Sequence, residues 1–71
     1  MLGEELRRAR EATGMSQEQL SFAAGISRPY VSQLERDLKS PTLDVLFRIC
    51  AALGLPASEL IARVERARAG R

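Results

Sequence analysis

The chain has 71 residues, 45% of them hydrophobic and 28% charged, with a formal net charge of +2. That length holds one domain at most, spanning 1–71, and the composition is globular rather than disordered. One cysteine and no histidine exclude an intrachain disulfide and a zinc finger and remove the commonest general base, so no metal, cofactor or enzymatic activity is expected.

The sequence punctuation is helical from end to end. Leu2, Leu6 and Ala9 recur at helical spacing ahead of Gly14, which predicts α1 over 2–13. Ser16-Gln17-Glu18-Gln19 reads as a capping box opening α2, which runs over 17–24 and stops at Gly25. Ile26 is the apolar residue expected to pack back after a left-handed C-cap. Ser27 caps α3, over 28–36, where Pro29 is tolerated because first-turn N–H groups have no intrahelical acceptor to lose. Asp37-Leu38-Lys39-Ser40-Pro41 is a loop. Thr42 caps α4, over 43–53, with Leu43, Leu46, Ile49, Cys50 and Leu53 as its buried stripe. Gly54-Leu55 repeats the stop, and Pro56 opens α5, over 57–68. β-Branched residues never alternate with polar ones over a strand length, so five helices and no sheet are expected.

No apolar run approaches the ~18 residues of a membrane span. Met1-Leu2-Gly3-Glu4-Glu5 is acidic where a secretion signal is basic and then apolar. A cytoplasmic protein with no membrane partner is expected. Acidic and basic residues balance over 1–15 and over 16–55, so the whole positive excess lies in 56–71, with Arg63, Arg66, Arg68 and Arg71. A nucleic-acid binder built this way must use a local basic face rather than global charge.

Helices α2 and α3 are joined by Gly25-Ile26-Ser27, a helix-turn-helix connection with glycine where positive φ is needed. The segment from Gln17 to Arg36 resembles the phage-repressor/Cro-type helix-turn-helix family, also called the Xre family. Gln17 stands first in that motif, Leu20 fourth, Ser21 fifth, Gly25 ninth, Ile26 tenth, Val31 fifteenth and Leu34 eighteenth. Leu6-Arg7-Arg8-Ala9-Arg10-Glu11, Pro41-Thr42-Leu43-Asp44 and Ala52-Leu53-Gly54-Leu55 extend the resemblance over residues 2–61. It implies an all-α, five-helix, lambda-repressor-like DNA-binding domain. It also implies an ion pair between Arg10 of α1 and Glu35 of α3, removing an acid from the DNA face. Two positions depart from the family pattern. Ser21 replaces the usual alanine and brings a hydroxyl that needs a partner. Asp37 replaces the usual glycine and can visit the left-handed region at modest cost, which affects the path of the next loop.

The physics of DNA binding is separable from that resemblance. With Val31 and Leu34 turned inward, α3 presents Arg28, Pro29, Ser32, Gln33 and Arg36 on its outer face, with Ser27 at the tip. Arginine reads guanine bidentately, glutamine reads adenine, and serine is permissive. Ser27, Arg28, Pro29, Ser32 and Gln33 are therefore the expected base contacts. Gln17, at a helix N-terminus, and Lys39 and Ser40 in the next loop suit phosphates, with Tyr30 and Arg36 beside them. Pro29 and Tyr30 also offer apolar surface to thymine methyls or sugars.

Phe22 either covers the core edge or is left exposed, and Cys50 reads as a small core residue. Phe47, Leu55, Ile61 and Val64 exceed what the monomer core needs, and are the expected homodimer interface, with α5 contributing to it. The alternative is that α5 merely covers the core. The expected function is a dimeric, sequence-specific transcriptional regulator on a palindromic operator in double-stranded DNA, excluding or recruiting RNA polymerase. The rival is an antitoxin or protein-interaction module on the same fold, autoregulating a toxin or restriction–modification operon.

Overall fold

In a computed structural model that describes residues 1–70, the chain forms five helices, and no strand occurs among the described residues. They are α1 (Leu2–Thr13), α2 (Gln17–Ala24), α3 (Arg28–Glu35), α4 (Leu43–Leu53) and α5 (Ala57–Ala69). Against the sequence expectation, α3 stops one residue earlier, with Arg36 as its C-cap, and α5 runs one residue further. Arg71, counted in the basic tail, lies outside the described residues.

Side-chain caps set three of the starts. Ser16 Oγ accepts from Gln19 N–H at 3.0 Å while Gln19 Oε1 accepts from Ser16 N–H at 2.8 Å, the reciprocal capping box. Ser27 Oγ accepts from Tyr30 N–H, and Thr42 Oγ1 from Val45 N–H, each at 3.2 Å. Each cap contributes roughly 1 kcal/mol, enough to decide where a helix this short begins. At the tight turn Gly25 takes φ 71, which lets Ile26 N–H reach back to the Ser21 carbonyl at 3.0 Å.

The core is one cluster in which Leu6, Leu20, Val31, Leu34, Ile49 and Leu60 are fully buried, so every helix contributes to it. α1 packs on α3 and α5, and α2 on α3 and α4. The chain turns through 104° between α4 and α5. No single helix among the described residues is long and apolar enough to cross a membrane.

One expected core position is corrected. Leu43 is 63% exposed, and Val45 takes its place in the α4 stripe with Leu46, Ile49, Cys50 and Leu53. At ~100° per residue Leu43 lies about 90° from the centre of that stripe, on the side of Phe47. Phe47 is itself 54% exposed. On α5, Leu60 is buried, Val64 half-buried and Ile61 exposed, while Leu55 is half-buried against the core.

Candidate nucleic-acid interface

The interface is built around a buried carboxylate. The Glu35 side chain, 2% exposed, accepts from Arg10 Nε at 2.6 Å, Arg10 Nη2 at 3.1 Å and Gln17 Nε2 at 3.1 Å. Arg10 Nη1 also donates to the Met15 carbonyl at 2.7 Å. The bond to Glu35, more than its charge alone, holds the Arg10 guanidinium above its ordinary pKa against the opposing effect of burial. Three helices are tied at one point, and the one acidic side chain of α3 is withdrawn from its outer face.

With Val31 and Leu34 in the core, that face carries exposed Arg28, Pro29 and Arg36 and half-buried Ser32 and Gln33. Ser27 stands exposed at the tip, its oxygen engaged as the α3 cap while its hydroxyl proton can still be donated. Arg36 Nε leans on the Ser32 carbonyl at 3.4 Å. Tyr30 is half-buried against the core, which keeps its ring at the edge of the face. Lys39 and Ser40 are exposed in the α3–α4 loop. Ser21 resolves its departure locally, donating to the Glu18 carbonyl at 2.7 Å. Phe22 is 89% exposed on α2, where an open groove lined by Gln19, Phe22, Ile26, Ser27 and Arg28 runs to the start of α3.

The outer residues of α3 are followed directly in the chain by the exposed loop that carries Lys39 and Ser40, while Phe47 and Ile61 lie on other helices. Gln17 makes one bond that spacing alone did not reveal: its amide donates to Glu35, eighteen residues away in sequence. Asp37 was also missed as a contributor. It takes φ 58, and its carboxylate accepts from Gly3 N–H at 2.9 Å and meets the Met1 α-amine. Only its substitution for glycine in the motif signalled anything unusual.

Residues 6–60 match the family described as "Helix-turn-helix". The chain belongs to the helix-turn-helix family. An HTH-type transcriptional regulator of Mycobacterium tuberculosis is 43% identical over 61 residues, 86% of this chain and 44% of that protein. The chain thus spans less than half the length of that relative. Among solved structures, the restriction-modification controller protein C.AhdI from Aeromonas hydrophila is 37% identical with a TM-score of 0.81, over 83% of this chain and 89% of that one. The master regulator for biofilm formation SinR, in a complex with DNA, is 29% identical with a TM-score of 0.81, over 86% and 98% respectively. The family is one of DNA-binding regulators rather than of enzymes. The helix-turn-helix of this chain is α2–turn–α3, and the surface described above is the outer side of its second helix.

Proposed function

We propose that the chain is a single-domain, sequence-specific DNA-binding regulator of transcription, working in the cytoplasm and placing α3 in the major groove. The observation that carries this reading is the division of α3 into a sealed side and a reading side. Val31, Leu34 and Glu35 are buried, while Arg28, Pro29, Ser32, Gln33 and Arg36 remain on the surface. An arginine, a serine and a glutamine on one turn-and-a-half of helix form a donor set suited to base edges. Ser27, Arg28, Pro29, Ser32 and Gln33 make the base contacts. Gln17, Tyr30, Arg36, Lys39 and Ser40 make the phosphate contacts, with Gln17 held in position by Glu35.

The regulator binds as a homodimer through Phe47, Leu55, Ile61 and Val64, so that two copies of α3 read a palindrome ~34 Å apart. It then excludes or recruits RNA polymerase. Selection of sites from a random duplex pool tests the reading: a recovered palindrome supports it. Recovery of no preferred sequence, with binding governed by salt alone, would sink it.

A further inference from the structure

The segment that follows α3 is fastened at one residue. Among the described residues Asp37 is the one non-glycine with positive φ, at 58°. Its backbone N–H donates to the Leu34 carbonyl at 3.1 Å, and Leu38 N–H donates to the Gln33 carbonyl at 2.9 Å. Those bonds close the end of α3. The carboxylate does something different: it leaves its own turn and reaches the start of the chain. There Oδ1 accepts from Gly3 N–H at 2.9 Å, and Oδ2 meets the Met1 α-amine. Met1 supplies no side-chain cap to α1, so Asp37 provides the missing acceptor at a helix start whose first turn already carries Glu4 and Glu5. The bond to Gly3 N–H is enough to form the clamp, and the amine reinforces it. On the far side, Thr42 closes the loop by capping α4. Between these two fixed points stand exposed Lys39 and Ser40.

We propose that Asp37 is a positioning residue for DNA binding: its clamp on the α1 N-terminus fixes the loop that presents Lys39 and Ser40 to a phosphate. The inference rests on the reading of Lys39 as a phosphate contact. A lysine on a held loop loses less freedom on binding than one on a loose loop. The opposing view is that Asp37 is only an acid beside a polyanion. Removing such an acid strengthens binding, whereas removing a positioning residue weakens it, so the two views differ in sign.

The test uses a random-sequence duplex, the full chain, and temperatures well below the melting point of each variant. Affinity is measured across a range of salt concentrations. Lys39→Gln should lower the slope of log K against log salt by about 0.9, one phosphate contact, which is about fivefold in affinity near 0.15 M salt. Asp37→Gly keeps the left-handed turn without strain and deletes the carboxylate. It should lose a similar part of the slope and several-fold in affinity. Asp37→Asn retains an acceptor for Gly3 N–H and should restore most of the slope, which also keeps the test valid if the glycine variant folds poorly. If Lys39→Gln leaves the slope unchanged, the phosphate reading of the loop fails and the inference fails with it. If Lys39→Gln lowers the slope while Asp37→Gly only lowers the melting temperature, or tightens binding, the inference alone is overturned.

Discussion

Glu35 accepts three side-chain hydrogen bonds in a place where water does not reach it. A buried carboxylate is tolerable only while its partners remain. Arg10→Met leaves it with Gln17 alone and strips a donor from the Met15 carbonyl. The expected loss is ~3–5 kcal/mol, a large fraction of the ~5–15 kcal/mol typical of a whole domain. Denaturant midpoints for Arg10→Met, Glu35→Leu and the double variant check this, and the double should recover much of the loss because no charge is left stranded. A variant of unchanged stability with lost DNA affinity would instead make Arg10 a phosphate contact. Gln33 presents the opposite case, half-buried on the outer face of α3 and outside that network, where it is proposed to contact a base. Gln33→Ala should cost ~1–3 kcal/mol on the selected site and relax the base preference there. Equal losses on selected and random duplexes would remove Gln33 from the readers.

Between elements, α1 comes close against the end of α3 at Gly3. A Cβ built on Gly3 would fall on the Leu34 and Glu35 carbonyl oxygens, 2.5 Å from the former. Backbone is on both sides, so neither can yield cheaply. Gly3→Ala gains up to ~1 kcal/mol of helix propensity. It should still destabilise, by roughly 1–3 kcal/mol net of relaxation, because α1 must move off α3. A thermal melt with an unchanged midpoint would show that α1 shifts freely. Asp37 bolts the same two elements and gives the junction a pH dependence. The bond to the α-amine first, and the Gly3 N–H second, hold its carboxyl below the ordinary carboxylate range. A folded-state pKa below the unfolded one stabilises above the unfolded value and is lost as pH falls through the folded value. Wild type should therefore melt above Asp37→Asn near neutrality, and the gap should close on acidification below about pH 4. These junctions also show how far the sequence could be read. Helix starts at Ser16, Ser27 and Thr42 and the turn at Gly25 are local signals, confined within a few residues, and they are legible as such. The bonds Gln17–Glu35 and Asp37–Gly3 span distant parts of the chain, and no local pattern encodes them. Leu43 went astray for a related reason: periodicity gives the direction of a stripe but not its edge, which depends on what packs alongside.

The size of α3 bears on how many copies of the chain must act together. An eight-residue α3 is about 12 Å long, so under the proposed function it would read only a few base pairs, too few to single out one genomic site. The domain measures 33 × 24 × 22 Å, so two copies side by side can present their α3 helices ~34 Å apart, one duplex turn. The proposed contact draws on apolar side chains of α4, α5 and the turn between them: Phe47 is exposed, Ile61 is 42% exposed, and Leu55 and Val64 are half-buried. An isologous contact there would leave both reading faces open, and operator occupancy would rise steeply with concentration. Ile61→Asp tests this cleanly, because a charge at an exposed position costs the monomer little, whereas the same change at fully buried Leu60 would unfold it. The variant should remain helical, sediment as a monomer, keep non-specific binding and lose most operator affinity. Sedimentation equilibrium on wild type and variant, beside an operator titration, gives the answer. A wild type that is monomeric at tens of micromolar (an order-of-magnitude choice for weak dimers) and binds its operator without cooperativity would move the interface elsewhere and leave α5 as a cover on the core.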